Sequence, residues 1–205
     1  MSAVPPLVAL TGGLGAGKST ALAALERLGA AVISTDDVVH DLYRSEPVVK
    51  AVSARFGPAV APSGVISREA VAARVFADPR EREWLEQLLW PLVRERISAW
   101  REATIAASLE SPLVSPPSAL VVEVPLLFES GGEGLYDASI TILADDALRR
   151  ARARARGHQD VSARERRQLT QEQKAARSTF VVVNDGTIEE LESKLSELLV
   201  MLARG

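Results

Sequence analysis

The chain has 205 residues, of which 47% are hydrophobic, and its formal net charge is −3. This length allows one sizeable core with a small appended domain, and the acidic balance argues against a strongly basic face for duplex nucleic acid. The absence of cysteine excludes disulfides and thiolate metal sites and is compatible with a reducing compartment.

Short apolar runs that alternate with helical segments predict an α/β fold with a five-stranded parallel sheet covered on both faces. A helix is expected from about Lys18 to Leu28, and the leucine stripe after Ile188 predicts an amphipathic C-terminal helix. The predicted strands are Leu7–Thr11, Ala30–Ser34, Ala119–Val124, Ala138–Ala144 and Thr179–Asn184.

The segment GGLGAGKS, residues 12–19, lies between the first strand and the first helix and fits the phosphate-loop pattern G-x-x-x-x-G-K-[S/T]. Converging backbone N–H groups and the positive end of the helix would hold a phosphate. Lys18 would reach the outer phosphates, and Ser19 would give an oxygen to Mg²⁺. The predicted nucleotide-binding residues of this loop are Gly13, Leu14, Gly15, Ala16, Gly17, Lys18, Ser19 and Thr20.

Two carboxylates, Asp36 and Asp37, follow the second strand at the sheet edge where open α/β sheets bind ligands. One can take a proton from an attacking hydroxyl, while the other caps the next helix. We favour Asp36 for the chemical role. His40, one turn later, either lines an acceptor pocket or is a partly buried structural residue.

Residues 40–115 form a long insertion that is mostly helical by pattern, and Pro91 either starts a new helix or kinks one. Glu123 interrupts the apolar third strand. It either helps to hold Mg²⁺ or faces solvent at the strand end.

Eight arginines lie between Leu148 and Gln168. Either they form a solvated, salt-bridged helix, or one or two of them belong to a lid that stabilises a transferred phosphoryl group. RNA binding ranks lower because no aromatic residue lies in the cluster to stack bases.

The motifs VALTGGLGAGKST, GAAVISTDDVVHDLY and VVEVPLLFESG, with the late Gln168, Lys174, Asn184 and Gly186, make the chain resemble the dephospho-CoA kinase family over nearly its whole length. Its departures from the family pattern include Ser34 and Glu123, which replace the usual Asp, and Trp90, which replaces a His. The GGEG loop (residues 131–134) and an arginine-rich lid segment around residues 157–161 are further departures. A kinase of another small molecule is the alternative, and a nucleotide-dependent switch or motor is a more distant one.

The resemblance implies a three-layer P-loop kinase fold, with a core of residues 1–39 and 116–205, a helical acceptor-binding insertion of residues 40–115, and a helical lid of residues 147–170. It implies ATP as donor with Mg²⁺, transfer to the ribose 3′-hydroxyl of dephospho-CoA, and completion of coenzyme A synthesis. No nucleic-acid partner is expected, and the chain would be a monomer or weak homo-oligomer.

The resemblance also assigns site residues. Asp36 would accept the hydroxyl proton, and Lys18 with Arg154 or Arg156 would neutralise charge on the phosphoryl group. Asn184 and Gly186 would lie near adenine. The loop pattern and the interrupted third strand, rather than the resemblance, make Ser19 and Glu123 the candidate metal-binding residues. The expected acceptor contacts are Asp36, His40, Arg68, Pro91, Phe128 and Glu129.

Neither a signal peptide nor a membrane span is predicted. The first ten residues lack a basic region, and the longest apolar run, ALVVEVPLLF, is short and broken by Glu123 and Pro125. We therefore expect a cytoplasmic protein without a membrane partner.

Overall fold

The computed structural model describes residues 4–110, 116–155 and 168–203. The chain divides into two compact units. The first comprises Met1–Ser34 with Arg101–Gly205, and the second comprises Thr35–Trp100. The bounds of 40–115 for an acceptor-binding insertion and of 147–170 for a lid stay predictions, and residues 156–167 of that lid lie outside the described residues.

The first unit is built on a parallel sheet, which confirms the predicted fold class. In the described residues the strand order is β2-β3-β1-β4-β5, and every neighbouring pair is parallel. The strands are β1 (Leu7–Gly12), β2 (Ala31–Ser34), β3 (Leu120–Glu123), β4 (Ala138–Leu143) and β5 (Phe180–Val183).

The central strand β1 is buried along all six residues, because β3 and β4 flank it, α1 packs against it, and Leu127 and Phe128 pack against its Ala9. Its Leu10 pairs in register with Glu123 of β3, and Glu123 pairs with Ser34 of β2. The carboxyl ends of these three strands therefore share one edge of the sheet, and the chain leaves that edge into the loop after β1.

Four described α-helices belong wholly to the first unit: α1 (Lys18–Arg27), α6 (Asp146–Ala155), α7 (Gln171–Arg177) and α8 (Ile188–Leu202). Helix α8 begins with a reciprocal capping box between Thr187 and Glu190, and it packs against α1. The apolar core of this unit lies among the sheet, α1 and α8, and includes Val8, Leu10, Leu25, Val121, Ile140, Ile142, Leu191 and Leu195.

The second unit is helical, as its sequence pattern predicts. Its helices are α2 (Thr35–Leu42), α3 (Glu46–Phe56), α4 (Arg68–Ala77) and the larger part of α5, which runs over Pro79–Glu110. The ring of Phe56 meets that of Trp84 edge to face at 5.4 Å, and the Arg55 guanidinium lies 5.5 Å from the Trp84 ring centroid. The same guanidinium donates to both Glu81 carboxylate oxygens, at 2.7 and 2.9 Å, so α3 is fixed against α5.

Helix α5 continues through Pro91 without a break. The alternative that Pro91 starts a new helix is therefore wrong. A proline has no backbone N–H, so this 32-residue helix lacks one backbone hydrogen bond at Pro91.

Candidate functional site

The phosphate-loop motif folds as its spacing predicts. Strand β1 ends at Gly12, α1 begins at Lys18, and Gly17 caps the helix in the left-handed conformation, with φ of 96°. The first N–H groups of α1 have no acceptor within the helix, and they point out of its N-terminus together with the positive end of the helix dipole. This arrangement suits an anion.

Two positions of the loop require glycine, because neighbouring atoms leave no room for a Cβ and because the backbone φ angle is positive. A Cβ on Gly15, whose φ is +77°, would lie 2.2 Å from the backbone oxygen of Arg149. A Cβ on Gly17 would lie 2.1 Å from the side-chain nitrogen of Asn184. Any larger residue would therefore displace the loop from α6 or from the segment after β5.

Side chains hold the carbonyl groups of this loop. The Lys18 ammonium donates to the Gly12 and Gly13 oxygens, each at 3.1 Å. Asn184, which is 6% exposed, donates its amide to the Ala16 oxygen at 2.9 Å. Asn184, predicted to lie near adenine, thus contacts the phosphate loop directly.

Helix α6 supplies a further contact that the sequence analysis missed. The Arg149 guanidinium donates to the Leu14 oxygen at 2.8 Å and to the Asp146 carboxylate. These bonds from Arg149 hold the pKa of the Asp146 carboxyl below its usual range. The sequence did not distinguish Arg149 from the other arginines of this segment, which recur at every second residue. Its partner Leu14 is 135 residues away along the chain, so no local pattern links the two.

The other arginines of α6 differ in their surroundings. Arg152 donates to the Asn184 backbone oxygen at 3.1 Å. Arg154, a predicted catalytic residue, is exposed, and Arg156 lies outside the described residues. Gly186, predicted to lie near adenine, is exposed in the turn before α8.

Glu123 is buried at the carboxyl end of β3, with 7% exposure. The alternative that it faces solvent is therefore wrong, since strands β1 and β2 flank it. Ser19 is exposed in the first turn of α1, and Thr20 follows it half-buried. Within residues 4–110, 116–155 and 168–203, no cluster of three or more His, Cys, Asp or Glu is placed to hold a metal ion.

A hydrogen bond and an ion pair from Lys174 connect α7 to the segment after β3, which includes Pro125 and Glu129. Lys174 is fully buried, and its ammonium lies 2.9 Å from the Pro125 oxygen and 2.9 Å from the nearer Glu129 carboxylate oxygen. Burial lowers the pKa of Lys174, and the bond to Glu129 opposes that shift. Glu129 also accepts from the Leu169 N–H at 2.8 Å. The carboxylate predicted to contact substrate is thus engaged within the protein.

Phe128 is buried next to this ion pair. The Arg177 guanidinium lies 4.9 Å from its ring centroid and donates to its backbone oxygen at 3.2 Å. Arg177 also pairs with Glu133. Helix α7 therefore fixes both ends of the Phe128–Glu129 segment.

The predicted proton acceptor lies in the second unit. Asp36 and Asp37 are exposed in the first turn of α2, and His40, one turn later, is half-buried. The Arg68 guanidinium donates to the backbone oxygen of Asp36 at 3.0 Å, so two predicted site residues meet here. Arg68 also acts on buried Tyr43, whose pKa is raised by burial and lowered in part by this cation.

The last predicted acceptor contact, Pro91, is exposed on α5 next to half-exposed Trp90. None of the described helices has the length and apolar character that crossing a membrane requires.

Comparison with known proteins gives a consistent match. A model of the family described as dephospho-CoA kinase matches residues 6–190. The dephospho-CoA kinase of Chlorobaculum tepidum is 36% identical over 95% of this chain and 94% of its own length. That of Deinococcus radiodurans is 36% identical over 97% of this chain and 93% of its own.

Solved structures agree with the fold. The Thermus thermophilus protein TT1252 superposes with a TM-score of 0.78 at 32% identity, covering 98% of this chain and 99% of its own. A Campylobacter jejuni dephospho-CoA kinase superposes with a TM-score of 0.63 at 20% identity, covering 99% of this chain and 100% of its own. The second likeness supports the fold alone.

Proposed function

The chain belongs to the dephospho-CoA kinase family, and from that premise we propose that it transfers the γ-phosphoryl group of ATP to the ribose 3′-hydroxyl of dephospho-CoA. The products are coenzyme A and ADP, so the reaction completes coenzyme A synthesis. The observation that carries the proposal is a complete phosphate loop, with its carbonyl groups held by side chains, inside a chain that the family matches over residues 6–190.

The donor binds at residues 13–20. The backbone N–H groups of the loop and the N-terminus of α1 hold its phosphates. The Lys18 ammonium, which donates to two loop carbonyl oxygens at 3.1 Å, is the cation that pairs with the outer phosphates. Asn184 and Gly186 contact the adenine side of the nucleotide, and Arg154 and Arg156 neutralise charge on the transferred group.

Ser19 and Glu123 are the proposed metal-binding residues. A hydroxyl and a carboxylate are oxygen donors, which suit Mg²⁺ when phosphate oxygens and waters complete its coordination. When bound, the ion would neutralise charge on the phosphates. Two protein oxygens are sufficient for such a site because Mg²⁺ usually takes only one or two carboxylates from the protein.

Asp36 acts as the general base. The residue is exposed in the first turn of α2, and Arg68 donates to its backbone oxygen. In the proposed reaction the Asp36 carboxylate accepts the 3′-hydroxyl proton as the hydroxyl oxygen attacks the γ-phosphorus. His40, Arg68, Pro91 and Phe128 contact the acceptor. Glu129 contributes by fixing the Phe128 segment through Lys174.

Replacing Asp36 by Asn tests the assignment. Loss of a general base lowers kcat about 10²–10⁴-fold, while the affinity for ADP stays unchanged. The matched control is Asp37→Asn, which removes the same charge one residue away and keeps its activity. Full activity in Asp36→Asn would remove Asp36 from the mechanism.

The acceptor is tested by comparing dephospho-CoA with nucleoside monophosphates under the same conditions. Preferential transfer to a nucleoside monophosphate would reject the proposed acceptor and favour another small-molecule kinase of this fold. We further propose that the protein works in the cytoplasm as a monomer or weak homo-oligomer, without a nucleic-acid partner.

A further inference from the structure

The direction of each loop N–H is linked to the carbonyl of the preceding residue. In a planar trans peptide the C=O and N–H groups point in opposite directions. A side chain that holds the Leu14 oxygen therefore turns the N–H of Gly15 to the opposite side. Arg149 holds that oxygen at 2.8 Å, and Asn184 holds the Ala16 oxygen at 2.9 Å in the same way.

The Arg149 guanidinium is itself fixed in place. Its Nε and Nη2 atoms donate to one Asp146 oxygen, at 3.1 and 2.8 Å. Gln171 donates to that oxygen at 3.3 Å and holds the Ala144 oxygen at 2.9 Å. The Arg149 side chain is only 9% exposed, so its planar group presents one defined edge to Leu14.

The glycines of the loop accommodate this arginine. A Cβ on Gly13 would lie 2.8 Å from an Arg149 guanidinium nitrogen, and one on Gly15 would lie 2.2 Å from the Arg149 backbone oxygen. Because neither Gly13 nor Gly15 has a side chain, Arg149 of α6 can pack directly against the loop at both positions. The other side of these peptides is the side available to a phosphate.

We propose that Arg149 is a positioning residue for nucleotide binding, which orients the peptide between Leu14 and Gly15 so that the Gly15 N–H faces the phosphates. This inference rests on the proposed function for the identity of the nucleotide. Arg149 does not touch the nucleotide; it acts through the loop. Removing the contact between Arg149 and the Leu14 oxygen should therefore weaken the binding of ADP and ATP, which carry a β-phosphate, more than the binding of AMP.

The test measures the affinities of ADP and AMP, and the KM values of ATP and dephospho-CoA, in Arg149→Met and Arg149→Lys. Loss of one charge-assisted hydrogen bond weakens ADP binding and raises the KM of ATP about tenfold in Arg149→Met. AMP affinity and the KM of dephospho-CoA stay within about twofold of the wild type. Arg149→Lys, which keeps the charge but loses the planar fork, gives an intermediate loss.

Arg150→Gln is the matched control, because Arg150 is exposed on the same helix and its removal changes the net charge equally. Equal weakening of ADP and AMP would overturn the inference, since a general structural role moves both. If Arg149→Met fails to fold, the Arg149→Lys variant decides, and an unchanged ADP affinity in it overturns the inference.

The two proposals fail separately. A wild-type protein that binds ADP in an Arg149-dependent manner but does not phosphorylate dephospho-CoA would reject the acceptor and keep the positioning role. A wild-type protein that phosphorylates dephospho-CoA, with unchanged ADP affinity in both Arg149 variants, would reject only the positioning role.

Discussion

Replacing Lys174 by Met removes the buried cation and keeps most of the volume of the side chain. Lys174 is fully buried, and its ammonium lies 2.9 Å from both the Pro125 oxygen and a Glu129 oxygen. Breaking a buried pair by removing one partner costs about 3–5 kcal/mol, because the remaining charge loses its counterion. Glu129 keeps its bond from the Leu169 N–H, so we expect a loss of about 3 kcal/mol in the free energy of unfolding.

Denaturant unfolding of four proteins measures this loss: the wild type, Lys174→Met, Glu129→Gln and the double variant. The double variant leaves no unpaired charge at the site. It should therefore recover part of the stability lost in Lys174→Met, which a double-mutant cycle reports as coupling between the two residues. A loss below about 1 kcal/mol in Lys174→Met, or strictly additive effects, would refute the reasoning, because solvent-exposed pairs behave in that way.

The pH dependence gives a second check on the same variant. Burial sets the pKa of Lys174 below its ordinary 10.5 in the folded chain. In the window between that lowered pKa and 10.5, the unfolded chain binds more protons than the folded chain, so the free energy of unfolding rises with pH. The difference in stability between the wild type and Lys174→Met should therefore grow on approach to pH 10.5, and a shrinking difference would contradict burial as the dominant cause.

Three further predictions concern the loop, a helix cap and an ion pair. Gly15→Ala places a Cβ 2.2 Å from the Arg149 backbone oxygen, so ADP affinity should fall at least about tenfold, whereas Gly134→Ala, in open space, should bind ADP normally. Thr187→Ala removes the side-chain cap of α8 and should lower the free energy of unfolding by about 1 kcal/mol in denaturant titrations, and an unchanged midpoint would contradict this. Because the pKa of Asp146 lies below 3.8, its pair with Arg149 persists above that pH and is lost as the pH falls through the lowered pKa; melting temperatures of the wild type and Asp146→Asn should differ at pH 7 and converge in acid.

The sheet could be predicted from the sequence because its signals are local. Each strand is a short apolar run, and in the central strand, Leu7–Gly12, burial on all sides requires such a run. The phosphate loop could also be predicted from the sequence, because its glycine spacing and the start of the following helix lie within a few consecutive residues. The structure extends or shortens the predicted strands by one residue at their ends.

The contacts that orient the loop could not be predicted in the same way. Arg149 lies in a segment of repeated arginines, and nothing in that repeat separates buried Arg149 from exposed Arg150 and Arg154. Asn184 meets Ala16 across 168 residues. Glu129 was expected to contact substrate from its motif, and its pairing with Lys174 depends on how α7 packs, which a single sequence does not reveal.

The order of the strands has a consequence for biosynthesis. Strand β1 is made first, but its two sheet neighbours start at Leu120 and Ala138. At a translation rate of about 5–20 residues per second, the ribosome needs roughly 5–20 s after finishing β1 to reach β3. During that interval the nascent apolar segment LVAL has no native strand to pair with, so its protection from aggregation at that stage depends on the ribosome and chaperones rather than on the fold.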